Sequence, residues 1–328
     1  MSPFSRSVVA LRPVSDADVK EAVQNCLDAC EWASVIPRGS RVVVKPNLCT
    51  TVPEKLAMSN TDPRITEAVC EILVSRARQV FVVESDNLRQ KADDAFEVSG
   101  YPAFAERMGL KLVNLSSESR VRIEADPIPL DLPRILLEAD AFVTLPVLKT
   151  HALTYFTGAL KNQWGCVPQR DRILLHRYID PLLVSLQRIL KPALSVMDAI
   201  IAMEGRGPVS GIPRRMNLLL ASRDAVALDV SAMRLTGLDP ACARHVVSAA
   251  AAGLGRMREE EIDLDGPWNE NVTQFAPAIF DIALRAMNRM SRYPWFVRNA
   301  LERDYMFYPA RAVVQTLRRA RIIGGANR

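Results

Sequence analysis

Between Val42 and Leu235, short apolar or β-branched runs alternate with segments whose apolar residues recur at helical spacing. This alternation limits the possible folds more than any other feature. Arg41-Val-Val-Val-Lys45 and the runs at 79–84, 110–115, 141–146, 193–197 and 216–222 are each short enough to be a buried strand. Strands covered on both faces read this way because the crossover helices joining parallel strands lie against the sheet. Helical spacing fills the gaps: 15–33, with Val19, Val23, Cys26, Leu27 and Cys30 on one face, a segment from Asp62 bearing Ile65, Ala68, Val69, Ile72 and Leu73, then 92–107, 181–190 and 224–235. The expected fold is α/β, with mainly parallel sheets flanked by helices in two lobes, a cleft between the lobes and a helical C-terminal arm. Residues 1–148 are expected to form the first lobe, 149–265 the second, and 266–328 a basic, aromatic-rich extension.

Open α/β sheets collect their chemistry at strand ends, where loops converge on a crevice. The stretch 145–176 fits such a place. It holds two of the three histidines, His151 and His176, together with Lys149, Lys161, Asn162 and Gly165. Lys45-Pro46-Asn47 ends an earlier strand, Asp198 ends a later one, and Glu204-Gly205-Arg206-Gly207-Pro208 follows it. Histidine can serve as base, acid or metal ligand near neutrality, and a desolvated lysine as nucleophile or anion clamp. His151, Lys161, His176 and Lys45 are therefore the candidates for chemistry. Asn47, Lys149, Asn162, Gly165, Glu204, Gly205 and Gly207 are the candidates for binding substrate or cofactor, and His176, Asp198 and Glu204 for a divalent metal. Asp229, inside an apolar helix, needs a partner if it is buried.

Composition narrows the function classes. With 49% hydrophobic and 24% charged residues the 328-residue chain is globular. No apolar run approaches the ~18 residues of a spanning helix, and 8–11 is too short for a signal peptide's apolar core, so a cytoplasmic protein is expected. The six cysteines are scattered without a C-x-x-C pair, which signals neither structural zinc nor a self-contained iron–sulfur site. No Gly-rich phosphate loop follows any strand, which argues against an ordinary NAD or ATP site.

Several motifs, quoted in order, carry a resemblance. Lys45-Pro-Asn47, Leu148-Lys-Thr-His151, Thr157-Gly-Ala-Leu-Lys-Asn162, Asp198 with Glu204-Gly-x-Gly-Pro208, and Ser222-x-Asp224 with Asp229 resemble the family called domain of unknown function 362, from about Val42 to Gly237. Many members of that family are described as iron–sulfur proteins and some carry a ferredoxin module. This chain has no such module, and Ala225 stands where the family has proline. The order His151, Lys161, His176 is also similar to the centre of the nickel-pincer lactate racemases. That likeness implies His151 as a proton-transfer base, Lys161 as the tether of a pincer nucleotide and His176 as a nickel ligand, with Lys45-Pro46 near the substrate.

The two readings agree on an enzyme acting on a small anionic metabolite by proton or electron transfer, with a bound metal or organic cofactor. The competing class is a non-catalytic protein that binds a metal, cluster or cofactor for a redox or maturation partner. Nucleic acid is not expected, because the ten arginines and three acids from Asp281 onward leave the first 280 residues at a net −2 of the overall +5. The mixture of Arg285, Arg289 and Arg292 with Tyr293-Pro-Trp-Phe296 suits an interfacial membrane helix, an acidic partner, or a helical arm packed on the core or on a second subunit.

Overall fold

A computed structural model describes residues 6–169, 172–279, 282–301 and 303–319. Twelve strands are present among them: β1 (Ser7–Pro13), β2 (Arg41–Pro46), β3 (Gln79–Glu84), β4 (Lys111–Asn114), β5 (Arg120–Ile123), β6 (Leu130–Pro133), β7 (Ala141–Leu145), β8 (Val147–His151), β9 (Tyr155–Phe156), β10 (Leu194–Glu204), β11 (Ile212–Ser222) and β12 (Ile262–Asp265). Ten of them form one sheet in the order β12-β1-β11-β10-β7-β2-β3-β4, with β8 alongside β10 and β9 alongside β8. β5 and β6 form a separate antiparallel pair.

The core of the sheet is parallel, as the buried β-branched runs imply. β2 pairs with β3 and β7, β3 with β4, and β10 with both β7 and β8, all in parallel. β11 is antiparallel to its neighbours β10 and β1, which makes the sheet mixed. Side chains alternate between its faces: Val42 and Val44 join the core under the helices Val19–Ala29 and Pro63–Val74, whereas Val43 joins the opposite core with helix Ile179–Leu190.

Strands from both expected lobes hydrogen-bond into this one sheet. β1 lies between β11 and β12 of the later half, and the expected boundary at 148/149 falls inside β8. The chemistry therefore gathers over strand ends of a shared sheet. Other elements differ in extent. Gly100, at φ +76°, splits the expected helix 92–107 into Ala92–Val98 and Tyr101–Met108. The helix expected from Ser15 begins at Val19, and its expected apolar face is buried. The strand expected to stop at Asp198 continues to Glu204. Within the basic extension the described residues form helices at Ile282–Met290, Pro294–Phe296 and Asp304–Arg319, while 266–279 holds one short helical turn, Asn269–Asn271.

Pro146 separates β7 from β8. It has no N–H to continue the ladder, yet its carbonyl accepts the Asp198 N–H at 2.8 Å. β8 therefore continues along β10 while β2 stops at Pro46. The loop 47–62 covers that step. It holds the short helix Leu56–Ser59 and is pinned by Asn60, whose Oδ1 accepts from Cys49 N (2.9 Å) and Thr50 N (3.1 Å) and whose Nδ2 donates to Thr50 O.

Candidate functional site

A cavity of about 110 Å³ opens where β2 and β3 end beside β8. Lys45, Lys149, His151, Lys161 and Arg172 converge on it, with Asn47, Asn162 and Gly165 in its walls. Glu84 is the one carboxylate in that lining, so the cavity carries an excess of positive charge.

Lys45 is committed to a buried ion pair. Its Nζ lies 2.7 Å from Glu84 Oε2 and also donates to Pro46 O at 2.7 Å. Glu84 is fully used as well, accepting from Leu48 N at 3.0 Å and Ser85 N at 2.9 Å. Gly165 is packed on this pair so closely that a Cβ there would lie 2.7 Å from Lys45 Nζ. Its place in the wall thus comes from what it lacks. Lys149, 1% exposed, donates to Ser59 O at 2.8 Å and to Cys49 Sγ at 3.2 Å. Asn162 donates to Lys45 O and Thr144 Oγ1, and Asn47 donates to Ser59 O, so both amides brace the wall.

Lys161 is different. It sits at the C-terminal end of the helix Gly158–Asn162, half-buried, its Nζ 5.9 Å from the Trp164 ring centre, and no carboxylate pairs with it among the described residues. Burial, and after it the charges of Arg172, Lys149 and Lys45, bring its amine down to about 7. Asp229 fixes the other end of this helix by accepting from Ala159 N at 2.6 Å and Leu160 N at 3.0 Å. Gly158, at φ +57°, permits the approach, because a Cβ there would lie 2.2 Å from Asp229 Oδ1. The buried carboxylate that needed a partner has found the free N–H groups of a helix start. Burial pushes it up to about 8 against the pull of those two N–H groups.

His151 has a defined polarity. Its Nδ1 accepts from Leu153 N at 3.1 Å and Thr154 N at 3.2 Å. A nitrogen that accepts two N–H groups carries no proton, so the neutral ring bears its hydrogen on Nε2. Burial and the neighbouring Lys161, His176 and Lys149 charges hold the ring well below the ordinary histidine range, hence neutral. The side chain is set up as a donor, whereas the racemase likeness implies a base. His176 is not in the cavity lining. It packs at a tilt against the Trp164 ring, centres 5.7 Å apart, and burial with the Lys161 charge takes it down to about 3.

The remaining expected residues lie elsewhere. Asp198 is mid-strand on the face covered by helix Pro63–Val74, where it accepts from Asp62 N at 2.8 Å and Ile200 N at 2.9 Å. Glu204 faces Arg214 (3.4 Å) and Ala276 N (2.9 Å). Gly205 and Gly207 hold β8 and the residue after it through their carbonyls, accepting from Thr150 Oγ1 and Ala152 N. His176, Asp198 and Glu204 are thus not brought together, and among the described residues no three His, Cys, Asp or Glu side chains are grouped to hold a metal ion.

Four side chains outside the expected set, Cys49, Thr157, Trp164 and Arg172, line the cavity. Arg172 donates to Ser85 Oγ at 2.5 Å and Val167 O at 2.9 Å, which aims it inward. Thr157 Oγ1 and Trp164 Nε1 are buried without any hydrogen-bond partner. His245, fully buried in the helix Arg244–Ala251, also has both ring nitrogens unpartnered. Trp164 carried a signal, as a costly residue in a loop; the others look ordinary in sequence.

Burial, followed by the Lys161 charge, lowers His245 to about 3. An unfolded histidine titrates near 6.5, so below that pH the unfolded chain binds more protons and the folded state loses stability. Relative to His245→Leu, the protein is expected to lose about 1.4 kcal/mol per pH unit from 6.5 down toward 3. Urea unfolding of both proteins at pH 7, 6 and 5 measures this, and parallel pH profiles would show that His245 titrates normally.

The sequence profile of the family described as domain of unknown function (DUF362) matches residues 42–234. A thylakoid-associated protein of Synechocystis sp. is 31% identical over 231 residues, 68% of this chain and 71% of that protein. Among solved structures, the lactate racemase apoprotein of Thermoanaerobacterium thermosaccharolyticum is similar at a TM-score of 0.45 and 10% identity, over 69% of this chain and 58% of that one. A Thermotoga maritima protein is similar at a TM-score of 0.41 and 13% identity, over 73% and 59%. The chain spans less than two thirds of the length of either solved structure. Both the length of the profile match and the identity to the Synechocystis protein lead to one assignment: this chain belongs to the DUF362 family.

Proposed function

We propose that the cavity binds a small oxyanion, a carboxylate-bearing metabolite, and that the protein is an enzyme that moves a proton on it. One observation carries the reading. In a cavity lined by Lys149, Lys161 and Arg172, the Trp164 Nε1–H and the Thr157 hydroxyl are buried with nothing to bond to. An unsatisfied buried donor costs about 1–3 kcal/mol, and an oxyanion seated among these groups removes that cost.

The division of labour follows from protonation. Arg172 and Lys149 supply positive charge to the anion. A Lys161 amine held near 7 is half deprotonated at neutrality and accepts a proton from the bound molecule, becoming the ammonium. The His151 Nε2–H donates to the oxygen on which the electron pair collects, as a neutral imidazole does in an oxyanion site. Each of these roles is carried by a side chain of the cavity lining.

Calorimetric titration with acetate, lactate, pyruvate and phosphate tests the binding step. Trp164→Phe removes one donor to a charged acceptor, worth about 1.5–3 kcal/mol, so affinity is expected to fall about 10- to 150-fold. Equal affinity in wild type, Trp164→Phe and Arg172→Met, each folded by circular dichroism, would refute the oxyanion site. A ligand that binds through these residues but returns unchanged would favour the binding or maturation protein over the enzyme.

A further inference from the structure

The basic extension leaves an apolar surface uncovered although its base is anchored. Val297 and Leu301 are buried, and Leu301 O accepts from Arg89 Nη1 at 2.8 Å, so this segment is docked on the body of the protein. The helix Ile282–Met290 nevertheless exposes Ile282 (69%), Met287 and Met290. At 100° per residue these three fall with Ala283 and Ala286 in one arc, Arg289 borders that arc beside Ile282, and Asn288 falls on the opposite side. Tyr293 and Trp295 follow at 64% and 72% exposure, and Met306 and Val313 are exposed one helical face apart, seven residues, on Asp304–Arg319.

Charge decides what this surface meets. Arg289, Arg292 and Arg298 are all exposed, and no Asp or Glu occurs from 282 to 301. A second copy of the chain related by a two-fold axis would set these arginines against their own equivalents with no carboxylate between them, which like-charge repulsion disfavours. An apolar face with exposed tryptophan and tyrosine and arginines at its rim matches the layered chemistry of a lipid surface: acyl chains below, aromatic rings at the interface, cations at the headgroups. We propose that residues 282–301 form a peripheral membrane-binding surface selective for bilayers containing anionic lipid, with Ile282, Met287, Met290 and Trp295 entering the interface and Arg289, Arg292 and Arg298 on the headgroups.

The test is sedimentation of the full chain with vesicles at low salt, comparing a phosphatidylglycerol–phosphatidylcholine mixture with phosphatidylcholine alone. Binding is expected to the mixed vesicles only and to weaken in high salt. Each cation at an anionic surface is worth about fivefold in partitioning, so Arg289→Gln with Arg292→Gln is expected to lower binding about twentyfold. Trp295→Ser is expected to weaken it as well, with the melting temperature unchanged in both variants because all three side chains are exposed. Failure to sediment with mixed vesicles, equal binding to both lipids, or full binding by the double Gln variant each overturns the proposal. So does a wild-type dimer in analytical ultracentrifugation that Trp295→Ser converts to monomer, which would make the face a subunit contact.

Discussion

Lys45→Met is expected to destabilise the protein by about 3–5 kcal/mol, measured as a fall in the urea unfolding free energy. The side chains of Lys45 and Glu84 are 1% and 5% exposed, and 2.7 Å separates their charges. Removing the ammonium leaves a buried carboxylate with no counter-charge. The two backbone N–H groups on Glu84 soften the loss but do not cancel it. The double variant Lys45→Met with Glu84→Gln should recover part of the stability, because the amide needs no counter-charge and can still accept from Leu48 N and Ser85 N. A single-variant loss below 1 kcal/mol would mean that Glu84 is neutral or hydrated, and that Lys45 is available to a ligand after all. The same measurement therefore separates Lys45 as wall from Lys45 as anion clamp.

Exchange of the hydrogen next to the carboxylate of lactate for deuterium, followed by NMR in heavy water, is expected to rise with pH through about 7 and then level off. The sign follows from the amine: below its pKa Lys161 is an ammonium and cannot take a proton, and above it the free amine can. Binding of the anion has the opposite trend, because the cavity loses one positive charge over the same range. Lys161→Arg keeps the charge at every pH and removes the base. It should bind the anion with no step near pH 7 and lose about 10²- to 10⁴-fold in exchange rate. Exchange by Lys161→Arg at the wild-type rate would assign the base elsewhere, and a wild-type profile flat from pH 6 to 8 would mean that the amine titrates outside that window. His151→Gln, which keeps a donor but not the ring, should retain more exchange than His151→Leu.

The sequence by itself determined the class of fold, most of the strands, and the neighbourhood of the site. Periodicity is a local property, so Val42 and Val44 can be read as facing one core and Val43 the other without knowing the partners. The clustering of Lys149, His151, Lys161 and Asn162 after β7 was legible for the same reason, since strand ends in α/β sheets converge on a crevice. What lay beyond reach was pairing. Nothing near Lys45 in sequence announces that Glu84, 39 residues later, neutralises it, or that Asp229 takes the start of the Lys161 helix, about 70 residues earlier, as its partner. Asp198 and Glu204 look like metal ligands in sequence because carboxylates after a strand often are. The fold gives Asp198 to the N–H of Asp62 and Glu204 to Arg214 and the Ala276 N–H.

Protonation state was likewise decided only in three dimensions. A histidine's tautomer depends on what its nitrogens meet, and His151 meets two backbone N–H groups two and three residues ahead that are placed by the turn after β8. The lowered Lys161 amine depends on burial beside Arg172 and Lys149, which only the closed chain supplies. His245 shows the limit most plainly. It lies 84 residues beyond Lys161 in an unremarkable helix, and only the packing of that helix turns it into a buried, unpartnered ring whose titration feels the lysine charge.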